Sequence, residues 1–284
     1  MNFLFDIIKG MLIGVANIIP GVSGGTMMVS MGIYDKIISS ITHITKQFKK
    51  SILTLLPYLI GMGIGIVVSS FSIELMFEKF PIPTALLFIG LIFGGIPMLA
   101  VNLKEKKTNV LHIVLFVCAF ALVVGLQLLG NSTGTEKTLE LSAGNFIVAF
   151  ILGTIASATM VIPGVSGSMV MMILGYYTAV IGLINDCITA LVSLDFGVLF
   201  GCIGILIPFG IGVVFGIVAV AHLIEYLMNH YKKETYCAIL GLVTASPVPV
   251  FMNAGVESVS VGAIIAGIVM FALGFYGALR LGKE

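Results

Sequence analysis

Charge is scarce in this sequence. Its 284 residues carry 14 Lys+Arg and 13 Asp+Glu, 10% charged in all, against about 25% in an ordinary soluble domain. Hydrophobic residues make up 59% of the chain, and its mean hydropathy is +1.18. A water-soluble fold of this size could not cover its surface with so few charges. A soluble enzyme, a nucleic-acid binder and a disordered chain are therefore excluded. Tryptophan is absent, so Tyr and Phe must supply any aromatics at a membrane interface. The four cysteines, Cys118, Cys187, Cys202 and Cys237, lack metal-ligand spacing and read as small packing residues. No metal or cofactor is expected. The apolar runs are continuous rather than alternating, which favours helices over a transmembrane barrel. Asp6 and Lys9 interrupt the first apolar stretch, and no small-residue cleavage site follows it. Residues 1–19 therefore read as mature structure rather than a signal peptide.

Glycine, by contrast, is abundant at 34 residues, and it exposes an internal repeat. Gly14–Tyr34 reads GVANIIPGVSGGTMMVSMGIY and Ser157–Tyr177 reads SATMVIPGVSGSMVMMILGYY, with nine of 21 positions identical at an offset of 143. Pro57–Phe77 aligns with Pro208–Met228, pairing Gly61 with Gly212, Gly65 with Gly216 and Glu74 with Glu225. Gly90-Leu91 aligns with Gly241-Leu242, each pair followed by a proline (Pro97, Pro247). Three matches in one order indicate duplication.

Each half then holds five helical segments. The first repeat, 1–142, has a hairpin over 3–45 (segments 3–19 and 23–45) and spans at 51–72, 82–101 and 110–130. The second, 143–284, has a hairpin over 144–190 (segments 144–162 and 166–190) and spans at 197–227, 235–252 and 258–281. Basic residues orient these segments. Lys9, Lys36, Lys46, Lys49, Lys50, Lys104, Lys106, Lys107, Lys232, Lys233, Arg280 and Lys283 all fall on one side, the cytoplasmic one, and only Lys79 and Lys137 fall outside. Glu78, Glu136, Glu140, Asp186, Asp195 and Glu257 lie with the outer loops.

This assignment puts both termini in the cytoplasm. It also makes the second segment of each half end on opposite sides, so the halves are inverted, as in many secondary transporters. The first two segments of each half must return to their starting side, and charge parity alone does not say whether they span. Their joints, IIPGVSGG and VIPGVSGS, carry no charge and run into apolar sequence on both sides. That favours a re-entrant hairpin. The expected fold is an all-α polytopic membrane protein of two inverted-topology repeats. Each repeat holds one re-entrant helical hairpin and three transmembrane helices.

Those joints are also the candidate site. Ser23 and Ser166 are placed to cap the helices that follow, and Gly24, Gly25 and Gly167 admit close approach to the backbone. Helix starts leave N–H groups without partners, a recipe for holding an anion without a buried cation. The hydroxyls of Thr26, Thr159 and Ser168 add donors. A plainer alternative is that these small residues only allow tight helix packing. GVSG also fits the pattern of an intramembrane serine protease working with a histidine such as His112 or His222. Against that, a protease needs one nucleophile, and here the motif occurs twice with no duplicated histidine.

The doubled PGVSGG/PGVSGS motif, the inverted halves and the length together resemble the PopT-type polyprenyl-phosphate transporters, over nearly the whole chain. The resemblance implies a bacterial plasma-membrane protein that moves undecaprenyl phosphate from the outer to the inner leaflet, recycling the carrier lipid for cell-wall synthesis. By position, the motif residues are Pro20, Gly21, Ser23, Gly24 and Gly25, with Pro163, Gly164, Ser166, Gly167 and Ser168. The second copy departs from the first at Ser168, which stands opposite Gly25. The expected partners are polyprenyl phosphate and membrane lipids, with no nucleic acid. A secondary transporter of a small anion and a structural membrane protein stay open as alternatives.

Six ionisable positions remain. Glu74 and Glu225 are repeat-equivalent, and with His222 one turn before Glu225 they suit proton coupling or gating; a water-facing carboxylate is the plainer reading. Arg280, the only arginine, is either an inner-face anchor or a phosphate contact. Asp6 and Lys9, three residues apart, are expected to pair.

Overall fold

Several helices in this chain begin or end at glycine or proline. The computed structural model describes residues 3–19, 21–101, 103, 109–130, 137–139, 142–256 and 259–283, and among these every regular element is α-helical. In order they are α1 (Phe3–Ile18), α2 (Gly24–Ser30), α3 (Tyr34–Thr42), α4 (Phe48–Lys79), α5 (Pro81–Val101), α6 (Val110–Gly130), α7 (Ala143–Val161), α8 (Gly167–Ile173), α9 (Tyr177–Ser193), α10 (Phe196–His230), α11 (Lys232–Ala245), α12 (Pro247–Met252) and α13 (Val261–Lys283).

The chain is a multi-pass membrane protein. Seven helical stretches among the described residues are long and apolar enough to cross a bilayer. Six correspond to the expected spans. The seventh, Gly144–Val161, is the first arm of the second hairpin. Its counterpart α1 has 16 residues, about 24 Å of helix, short of the ~30 Å hydrocarbon layer.

The second arm of each hairpin differs from expectation. Segments 23–45 and 166–190 are not single helices: each breaks in two, and α8 and α9 meet at a 112° bend. The cause is a left-handed glycine in each copy, Gly32 at φ +66° and Gly175 at φ +79°. Ile33 N–H closes on Met28 O and Tyr176 N–H on Met171 O, both at 3.0 Å, the six-residue loop of a Schellman stop. The expected span 235–252 is likewise divided into α11 and α12 at Pro247, which has no N–H to continue the ladder.

Element boundaries recur along the chain. Ile18 and Val161 end α1 and α7, Gly24 and Gly167 begin α2 and α8, and Tyr34 and Tyr177 begin α3 and α9, each pair 143 residues apart. Later, Pro81 and Lys232 begin α5 and α11, and Val110 and Val261 begin α6 and α13, each pair 151 apart.

The described residues form two compact units. The first comprises 1–125, 162–165 and 221–284; the second comprises 126–161 and 166–220. In the first, α1 runs parallel to α4 with backbone in direct contact. A Cβ on Gly10 or Gly14 would strike the carbonyl of Tyr58 or Met62, and one on Gly61 or Gly65 would strike that of Ile7 or Met11. Gly90 and Gly94 of α5 meet Phe271 and Phe275 of α13 in the same parallel sense. In the second unit, Gly153 of α7 lies on Phe209, while Gly212 and Gly216 of α10 lie on Phe150 and Thr154. Lipid offers no hydrophobic drive between helices, so small residues that permit such close carbonyl contacts supply the packing. The second unit also buries Leu139, Ala149, Leu152, Met171, Val180 and Ile205 together.

Candidate functional site

The first unit brings the first Gly-Val-Ser tip together with Ile162–Val165, the part of the second tip that precedes Ser166. Gly21 and Gly164, equivalent in the repeat, both take left-handed backbone at φ +85° and +81°, which turns each chain sharply at the end of its first arm. A side chain at Gly21 would meet the Pro249 carbonyl carbon at 2.7 Å and Asn253 Nδ2 at 3.0 Å. One at Gly164 would collide with the Leu242 backbone. Both tips therefore rest on the broken α11–α12 helix.

Hydrogen bonds lock the arrangement. Gly164 N–H donates to Thr26 Oγ1 at 2.7 Å. Thr26 Oγ1 lies 3.4 Å from Ser246 Oγ, and Ser246 Oγ donates onward to Leu242 O at 3.1 Å. With the Ser246 proton committed to Leu242, Thr26 is the donor in their shared bond. The result is one relay, from Gly164 through Thr26 and Ser246 to Leu242. Ser23 Oγ accepts Gly25 N–H at 3.2 Å and donates to Ile162 O at 3.4 Å, so it caps α2 and touches the second tip at once. Thr26 is fully buried and Ser23 is 4% exposed, while Gly21, Gly24, Gly25, Pro163 and Gly164 are buried as well. Pro20 lies outside the described residues.

Ser166, Gly167, Ser168 and Thr159 belong to the second unit, where the chemistry differs. Ser166 has the extended backbone of an N-cap, but its side chain does not cap α8. Its hydroxyl instead pairs with Ser168 Oγ at 2.8 Å, a partner the first copy lacks because Gly25 stands there. A Cβ on Gly167 would meet Ala156 O at 2.7 Å and Thr159 Oγ1 at 3.2 Å. Thr159 Oγ1 donates back to its own helix at Ala156 O, 2.8 Å. Ser168 is exposed. The first tip is thus closed and the second keeps a hydroxyl open.

The charged candidates lie elsewhere. Glu225 pairs with His43 Nδ1 at 3.4 Å, a histidine from the opposite half of the sequence; His222, one turn before Glu225, is exposed on α10. Glu74 sits in α4, with its side chain outside the described set. Arg280 is exposed and its Nε reaches Tyr276 Oη at 3.3 Å. Asp6 is held by Tyr58 Oη at 2.5 Å and Lys36 Nζ at 3.3 Å, and Lys9 is buried on the same helix. Sequence reading missed His43, Ser246 and Asn253. Of these only Ser246 carried a signal, as the residue before the Pro247 break.

Comparison with known proteins matches this sequence to a family. Residues 13–264 fit the family described as Undecaprenyl phosphate translocase-like. A polyprenyl-phosphate transporter of Staphylococcus aureus is 32% identical over 98% of this chain and 95% of its own length. A polyprenyl-phosphate transporter of Vibrio cholerae is 28% identical over 86% of this chain and 76% of its own. No solved structure matches. With a match that takes in both tips and the helix that carries them, the chain belongs to the undecaprenyl phosphate translocase-like family.

Proposed function

We propose that this protein translocates undecaprenyl phosphate across the bacterial plasma membrane, from the outer to the inner leaflet, and returns the carrier lipid to cell-wall synthesis. The observation that carries this reading is the relay joining the two tips in one buried, uncharged centre. A lipid phosphate has an anionic head that must leave water and an apolar tail that can stay in lipid. Amide and hydroxyl donors can receive such a head without the desolvation cost of a buried lysine. Helices α2 and α8 have seven residues each, so their dipoles contribute less than these individual donors.

The two halves act as inverted repeats in this reading, each with a re-entrant hairpin. The recurring boundaries at 143 and 151 residues support that, as do the left-handed glycines at equivalent points. The parallel packing of α5 on α13 agrees with basic residues beyond both C-terminal ends facing the cytoplasm. The two motifs differ in exposure, buried at Ser23 and exposed at Ser168, which fits their alternating use. Catalysis is not part of this scheme. The motif serines serve here as hydrogen-bonding groups, Ser23 with Ile162 O and Ser166 with Ser168.

The test is a flipping assay with labelled undecaprenyl phosphate in proteoliposomes, run with and without a pH gradient. Protein-dependent inward movement is expected, and Ser23→Leu and Ser166→Leu variants that still insert are expected to lose it. No protein-dependent flipping, or full activity in both variants, would refute the proposal.

A further inference from the structure

A cavity of about 890 Å³ opens in the first unit where α4 and α12 end and α5 and α13 begin. Its wall includes Phe77, Glu78, Lys79, Pro83, Asn253 and Ser260. Binding pockets for small organic ligands span about 300–1,000 Å³. The lining joins two chemistries: apolar residues, which suit isoprene units, and a polar set made by Lys79, Asn253 and Ser260. The end of the protein that carries Glu78 and Lys79 is the one the charge pattern puts outside the cell.

Asn253 ties the cavity to the first tip. It is a wall residue, and its side-chain amide nitrogen stands 3.0 Å from where a Cβ on Gly21 would be. A ligand lodged in the cavity is therefore one side chain away from the Gly21 turn. Lys79 and Glu78 are both exposed, so their charges oppose each other at the rim. Capture of an anion there depends on Lys79 outweighing Glu78.

We infer that this cavity is the outer reception chamber for a phosphate monoester bearing an isoprenoid tail, with Lys79 attracting the head and Asn253 passing it to the first tip. The inference rests on the proposed translocation, and one substitution separates the two. A Cβ on Gly262, which lines the cavity, would meet nothing within 4 Å. Gly262→Phe therefore adds bulk at the chamber wall with no clash at its Cβ.

Two readouts are needed: flipping of labelled undecaprenyl phosphate in proteoliposomes, and the melting-temperature rise that geranyl phosphate causes in detergent. Gly262→Phe is expected to keep the unliganded melting temperature, lose the geranyl phosphate shift and slow flipping at least tenfold. Lys79→Gln should weaken the shift, and Glu78→Gln should enlarge it. A Gly262→Phe protein that flips and shifts like the wild type overturns the chamber and leaves the translocation reading standing. A wild-type protein that shows the shift without flipping, the shift being lost in Gly262→Phe, keeps the chamber and removes the translocation reading. An equal shift with inorganic phosphate overturns the lipid part of the assignment, and no shift with either phosphate overturns the chamber.

Discussion

Thr26 is the residue on which the meeting of the tips depends most directly. Thr26→Val keeps the shape of the side chain and removes its oxygen. Gly164 N–H, held at 2.7 Å in a fully buried setting, then loses its acceptor, and the Ser246 hydroxyl loses the proton Thr26 supplied. Leaving a buried donor unsatisfied costs about 1–3 kcal/mol, equivalent to roughly 5–150-fold in the population of the joined arrangement. Thr26→Ser restores the oxygen and should recover most of the loss. The assay pairs thermal unfolding in detergent with flipping rates in proteoliposomes for the three proteins. Lower stability and slower flipping in Thr26→Val, with recovery in Thr26→Ser, are expected. Wild-type stability and rate in Thr26→Val would refute the claim that this relay holds the tips together.

Gly21→Ala and Gly164→Ala each force a side chain into left-handed backbone, at about 1–2 kcal/mol before any collision. Both should lower the melting temperature, whereas Gly125→Ala, with nothing within 4 Å of the new carbon, should leave it unchanged or raised. Glu225→Gln weakens the bond to His43; if the pair couples transport to protons, the pH profile of flipping shifts, and an unchanged profile removes it from coupling. Gly10→Leu or Gly61→Leu drives a side chain into the facing backbone of the α1–α4 seam, and is expected to abolish the folded protein in a detergent gel-filtration assay.

Much of the fold was legible because the bilayer restricts the choices. Apolar runs of about 20 residues must be helices, and α6 spans the predicted 110–130. The boundaries that went wrong are those set by a single residue. Gly175 sits inside an apolar run and Gly32 just ahead of the polar Asp35-Lys36 pair, and at neither does the hydropathy pattern mark a helix stop that the left-handed backbone makes. The site was legible as a motif but not as a network. The PGVSG copies announced themselves by repetition. Ser246, which anchors Thr26 in that network, lies 220 residues from it, and its one signal was the proline that follows. Ser166 was expected to cap as Ser23 does; its neighbour Ser168 takes its hydroxyl instead.

The glycine seams carry a mechanical consequence. At the glycines where α1 lies on α4, and α7 on α10, the facing atoms are mostly carbonyls and α-carbons, which leave one helix little room to slide along the other. Each pair therefore behaves as a single girder. The joints left to bend are the left-handed glycine turns, Gly32 between α2 and α3 and Gly175 between α8 and α9. A transporter built this way would move its short tip helices on stiff supports, much as a latch turns on a fixed frame.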